Sequence, residues 1–191
     1  MRLFVGLEIP AAVRENLAAL MKKLSALEKQ PSAKKARWVR PKNLHVTLKF
    51  IGEAAPNKLD EIIAALSAVH SGQPAGLQFR GLGFFPDEKR PRVLWASIDA
   101  SPNLAAIARD IERQLEPLGF PREKRAFTPH LTLARFEPPG ISERLRAAVR
   151  EDAERDFGAL WAGEFHLIES KLKPSGAEYT TLHSFPFAAE A

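Results

Sequence analysis

The chain has 191 residues, of which 45% are hydrophobic, with a net charge of +5 and no cysteine. These values describe a packed globular protein and exclude disulfides, a thiol nucleophile and thiolate-bound metal. No apolar run approaches the ~20 residues that span a bilayer, so no membrane partner is expected, and a reducing cytoplasm fits the missing cysteine.

Leu3, Val5, Leu7 and Ile9 alternate with less apolar neighbours, which predicts a half-buried strand at the start rather than a signal peptide. Pro10 opens a helix whose inner face is Val13, Leu17, Leu20, Met21, Leu24 and Leu27. The polar, basic stretch from Gln30 to Ala36 reads as a loop, and Leu44 to Ile51 as a strand. A turn over Gly52 to Ala55 leads to a second helix on Leu59, Ile62, Ile63, Leu66 and Val69. After a loop from Gly72 to Gly76, Leu77 to Phe85 and Val93 to Ile98 form a hairpin with a charged tip. Within it Gly81 and Gly83 mark close backbone approach or a bulge, not a nucleotide fingerprint. Leu104, Ile107, Ile111 and Leu115 give a third helix, closed by Pro117 and Gly119. His130 to Phe136 is a strand, broken by Pro138, Pro139 and Gly140. Ile141, Leu145, Ala148 and Val149 mark a fourth helix, and Leu160 to Leu172 with Glu178 to Phe187 form a closing pair of strands.

Basic residues are unevenly spread. Between Lys29 and Lys49 there are seven and no acid, and others cluster at Lys89, Arg90 and Arg92 and at Arg122, Lys124 and Arg125. Such a field attracts polyanions, although a solvated basic face has the same composition.

Two of the five histidines have a threonine two places later, in His45-Val46-Thr47-Leu48 and His130-Leu131-Thr132-Leu133. In a strand, residues i and i+2 share a face, so each strand offers an imidazole and a hydroxyl on one side and aliphatic residues on the other. A single histidine in a strand is commonly a packing residue, and threonine is favoured there for its β-branching. The repeated motif, 85 residues on (130 − 45), instead suggests a diverged duplication that brings two imidazoles to one cleft. That pair suits transfer at a phosphodiester: one imidazole takes the proton of the attacking water and the other protonates the departing oxygen. The threonine hydroxyls can donate to the non-bridging oxygens. His70, His166 and His183 lack such a companion and are read as structural or surface residues. Neither motif holds an acidic residue and no H-E-x-x-H is present, so no metal is expected.

Around these motifs, Asn43-Leu-His45-Val-Thr47-Leu-Lys-Phe-Ile-Gly-Glu53 and Phe127-Thr-Pro-His130-Leu-Thr132-Leu-Ala-Arg135-Phe136 resemble the paired motifs of the two-histidine (2H) phosphoesterases. The similarity is greatest to the bacterial and archaeal RNA 2′,3′-cyclic phosphodiesterases, historically called 2′-5′ RNA ligases. It extends to Met1-Arg-Leu-Phe-Val-Gly-Leu, Trp38-Val-Arg-Pro, Phe84-Phe-Pro and Arg92-Val-Leu-Trp95, and so covers the chain to about Phe187. The resemblance implies an α+β fold of two pseudo-symmetric lobes, each an antiparallel sheet with outer helices, around a central cleft in a single bilobal domain over 1–191. It implies opening of RNA 2′,3′-cyclic phosphates to 2′-phosphomonoesters without a cofactor, with His45 as proton donor, His130 as proton acceptor, and Thr47 and Thr132 holding phosphate. Arg135 matches a family position that contacts phosphate; simple alternation puts it opposite His130, so a bulge or twist is required. Trp38 could stack on a terminal base, with RNA docking near Arg37, Arg40 and Lys42. The substrates would be RNAs with cyclic phosphate ends, tRNA fragments among them, and without heptads or a long apolar edge a monomer is expected. The alternatives are a reversible 2′-5′ ligase, a non-catalytic RNA-binding protein, and a relative acting on a cyclic nucleotide or an ADP-ribose cyclic phosphate.

Overall fold

The structure is a computed structural model that describes residues 1–28, 36–174 and 176–187; the loop expected over Gln30 to Ala36 lies outside the described residues except for Ala36. Nine strands and four helices are described: β1 (Arg2–Glu8), α1 (Ala11–Ala26), β2 (Ala36–Trp38), β3 (His45–Glu53), α2 (Leu59–Ser67), β4 (Ala75–Phe85), β5 (Val93–Ala100), α3 (Pro102–Leu115), β6 (His130–Phe136), α4 (Glu143–Glu151), β7 (Asp156–Ala162), β8 (Glu164–Lys173) and β9 (Gly176–Pro186). They form two antiparallel sheets, β3-β1-β8-β9 and β2-β6-β5-β4-β7. This is the expected α+β architecture of two lobes.

The chain crosses between the lobes repeatedly. After β1 of the first sheet, α1 packs on the second, with Asn16 donating to the Phe157 carbonyl of β7 and Val13 lying against Gly158. After β5 of the second sheet, α3 packs on the first, where Glu112 meets Lys49 of β3. The orders β1-α1-β3-α2 and β5-α3-β6-α4 therefore repeat one another with exchanged helices. Each helix buries the apolar stripe that its spacing predicts, Val13, Leu17, Leu20, Met21 and Leu24 in α1 and Leu104, Ile107, Ile111 and Leu115 in α3. These side chains and the inner faces of both sheets join in one continuous apolar core.

Four local expectations are corrected. The stretch from Leu160 to Leu172 is two strands, broken at Gly163, with β7 at the edge of one sheet and β8 inside the other. An apolar pattern says nothing about which sheet a strand joins, so this change of sheet left no signal. β2 is three residues long, too short to give a periodicity. The fourth helix starts after Ser142, whose hydroxyl accepts from the Leu145 N–H, so Ile141 precedes the helix instead of opening it. β1 is buried on both faces, because Phe4 is covered by the rings of His45, Phe50 and Tyr179.

Gly81 has a φ of +84° at a register shift between β4 and β5, and Gly83 lies under the Trp95 ring, where a Cβ would come within 2.5 Å of Trp95 Cζ2. Lys49, counted among the basic residues of the sequence, is internal: its side chain is 2% exposed and its ammonium donates to Glu112 and to the Pro121 carbonyl. Lys49→Ala strips both acceptors of a buried cation. Loss of about 2–4 kcal/mol of stability is expected, measured by urea unfolding.

Candidate active site

A cleft of about 740 Å³ opens between the lobes, and His45, Thr47, His130, Thr132 and Arg135 all line it. Both histidines stand at the first residue of their strands, β3 and β6. Each imidazole is tied by Nδ1 to the carbonyl two residues back, His45 to Asn43 at 2.7 Å and His130 to Thr128 at 2.8 Å. With Nδ1–H donating to a carbonyl, Nε2 is the nitrogen left without a backbone partner. Thr47 Oγ1 lies 3.0 Å from His45 Nε2. Asn43 is itself buried and anchored by its amide to the Ala177 carbonyl, so the support of His45 reaches across to β9.

Aromatic rings fix both imidazoles from the side. His45 packs on Phe4 at 4.5 Å between centroids and meets Tyr179 edge-on at 5.1 Å; His130 meets Phe85 edge-on at 5.2 Å, and Trp95 at 6.4 Å. Burial among these rings lowers the pKa of His45 below the ordinary imidazole value, with the Asn43 carbonyl opposing. The phenol of Tyr179 is pushed up by burial, and Arg2 and Arg135 act against that shift, so both cations stand near it.

The bulge that Arg135 requires is present. In β5–β6, Leu94 pairs with Ala134 and Trp95 with Thr132, leaving Leu133 extra. Leu133 and Ala134 are both buried, and Arg135 then emerges exposed on the side of His130 and Thr132. β3 does the same: Val5 pairs with Lys49 and Gly6 with Thr47, so Leu48 is extra, Leu48 and Lys49 are buried, and Phe50 emerges 57% exposed into the cleft. Phe50 is thus the counterpart of Arg135 on the other strand, an aromatic where the second motif has a cation. Gly6 makes room for this: a Cβ there would lie 2.8 Å from the Val46 carbonyl oxygen and 3.5 Å from His45 Cδ2.

Trp38 and Arg40 do not line the cleft. Trp38 pairs with Ala134 across β2–β6, which turns it to the core side, and it packs there half-buried. The Arg40 guanidinium lies against Gly176, and Arg37 is ion-paired to Glu137. The docking surface expected at Arg37, Arg40 and Lys42 is therefore not the cleft itself. Sequence reasoning did not single out Arg2, Phe50, Arg109, Phe127 or Tyr179, all of which line it. Tyr179, the one tyrosine of the chain, carried a signal in its rarity; the rest carried none without the register. His166 is buried against Ser184 and His183 is exposed beside Phe185, outside the cleft. Among the described residues, no three histidine, aspartate or glutamate side chains come together as a metal site would need.

The sequence pattern of the LigT-like phosphoesterases matches residues 7–95 and 97–179, with one motif in each segment. The chain belongs to that family. It is 36% identical over 187 residues, 97% of its own length and 99% of the other's, to the RNA 2′,3′-cyclic phosphodiesterase of Archaeoglobus fulgidus. Its fold matches that of TT0787 of Thermus thermophilus with a TM-score of 0.77 at 30% identity over the whole of both chains. It also matches E. coli LigT complexed with 3′-AMP, with a TM-score of 0.75 at 26% identity over 98% of both chains.

The lowered pKa of His45 has a direct readout. Its imidazole should titrate below about 6.5 in the free protein, followed by NMR of the ring, while His45 in unfolded protein titrates near that value. Inorganic phosphate should raise the midpoint, because an anion beside Nε2 favours the charged ring.

Proposed function

We propose that the protein hydrolyses RNA 2′,3′-cyclic phosphate ends to 2′-phosphomonoesters, by acid–base catalysis with His45 and His130 and without a metal. The observation that carries this reading is the matched mounting of two imidazoles, one from each sheet, on the walls of a single cleft. The family membership and the name of the Archaeoglobus relative support the choice of substrate.

A water oxygen attacks phosphorus while His130 Nε2 takes its proton. The bond from phosphorus to the ribose 3′ oxygen breaks on the opposite side, and that oxygen receives the proton of His45 Nε2. Thr47 and Thr132 donate to the non-bridging oxygens, and Arg135 with Arg2 offsets the charge held there through the transition state. Phe50 presents an apolar ring to the ribose or base.

The proton donor must enter the reaction as imidazolium, and burial works against that in the empty cleft. The anionic substrate restores the charge: a phosphodiester at Nε2 favours the doubly protonated ring, so binding itself arms the acid. The pH dependence should show this in two ways. In kcat/KM, which reports the free enzyme, the step set by loss of the His45 proton is displaced to lower pH than an ordinary imidazole would give, a limb that lowers the competent fraction. In kcat, which reports the complex, the same limb moves to higher pH.

His45→Ala and His130→Ala should each lower kcat by about 10²–10⁴ with the fold retained, measured on a cyclic-phosphate oligonucleotide in EDTA. The phosphate of the product should sit on the 2′ hydroxyl. Activity lost in EDTA and restored by zinc, or a kcat/KM flat from about pH 5 to 9, would overturn the two-imidazole mechanism.

A further inference from the structure

The cations of the cleft fall into two groups. Arg135 stands on the His130 side of β6 and Arg2 lies two residues from Phe4, which packs on His45, so both line the cleft from the strands of the two-histidine gap. Arg109, Lys124 and Arg125 also line the cleft, but from none of the strands that carry the two motifs. They lie on α3 and on the segment that leads from α3 to His130. All three are exposed, and among the described residues none is in an ion pair. The acids of this rim leave them unbalanced: Glu112 is taken up by Lys49 and by the Glu123 N–H, so only the Glu123 carboxylate opposes the three cations.

The shape of the rim fits a chain. Ala105, Ala108, Arg109 and Glu112 recur at helical spacing and turn one face of α3 to the cleft, two of them small enough to leave room along it. Phe127, on the same segment as Lys124 and Arg125, also lines the cleft. A cyclic phosphate has one negative charge, which Arg2, Arg135 and the hydroxyls already meet. Three further cations without an ion pair among the described residues, in a cleft that also holds an aromatic ring, suit the backbone of a single strand.

We propose that Arg109, Lys124 and Arg125 form a phosphate track for the strand 5′ of the reacting end, so that the site selects oligonucleotide ends over free cyclic mononucleotides. This rests on the proposed cyclic phosphodiesterase reading and adds to it the length of the substrate. The track reads charge, and it replaces Arg37, Arg40 and Lys42 as the place where the RNA backbone lies.

The experiment compares kcat/KM on a tetranucleotide and on a mononucleotide, both ending in 2′,3′-cyclic phosphate, in about 50 mM salt. The unmutated protein should favour the tetranucleotide by about tenfold or more, with a preference that shrinks as salt is raised. The triple variant Arg109→Gln, Lys124→Gln, Arg125→Gln should bring the ratio close to one, and the salt slope for the tetranucleotide should fall by about 2, at ~0.7 per lost phosphate contact. Arg109→Lys with Arg125→Lys keeps the charge and should keep most of the preference. An unmutated ratio near one, a triple variant with the ratio unchanged, or equal loss on both substrates would overturn the track while leaving the phosphodiesterase reading intact. Hydrolysis of neither substrate by the unmutated protein would overturn that reading and the track with it.

Discussion

Everything in the cleft depends on two hydrogen bonds from imidazole Nδ1 to a carbonyl two residues upstream, Asn43 for His45 and Thr128 for His130. An unsupported imidazole can rotate and can carry its proton on either nitrogen. A carbonyl acceptor at Nδ1 removes both freedoms and leaves Nε2 as the nitrogen free of the backbone. The carbonyl is within reach because each histidine is the first residue of its strand, where the preceding backbone turns away from the sheet. The aromatic neighbours then hold each ring against its strand, and the threonine two residues on completes the same face.

From that shared mounting the two halves diverge. Each strand has a bulge one residue after its threonine, and in each the bulge turns the fifth residue after the histidine into the cleft. The backbone event is the same and the side chain is not, Phe50 in one case and Arg135 in the other. Under the bulges, Lys49 and Ala134 hold equivalent buried places, and Lys49 needs Glu112 and the Pro121 carbonyl to be tolerated there. That bond also anchors α3 and the segment after it, so the rim that holds Arg109, Lys124 and Arg125 is fixed to the strand of the first motif. A repeated backbone pattern thus frames an asymmetric cleft, in which burial lowers the pKa of one of the two imidazoles, His45.

The exchange of helices between the lobes ties these pieces together. Because α1 crosses to the second sheet and α3 to the first, neither lobe is a contiguous stretch of chain, and the core runs through both. The distance across the cleft is held by packing on both sides rather than by a linker.

The elements with strong periodicity were legible in the sequence: the apolar stripes of the helices, the strands at His45 and His130, and the hairpin with its two glycines. So was the pair of motifs, because alternation alone puts a histidine and the threonine two residues later on one face. Arg135 was expected in the cleft only on condition of a bulge, and the sequence could not place Phe50, Trp38 or Lys49, because a bulge or a cross-strand partner decides each of them, and register is a property of two strands at once. It could not show that Leu160 to Leu172 passes from one sheet to another, that a lysine in a basic stretch is internal, or that Tyr179 from the far end of the chain closes over His45. The histidine and threonine pairs of the cleft were determined by local spacing; which other groups surround them was decided only when distant strands paired, because a one-residue change of register moves a side chain from the core to the cleft.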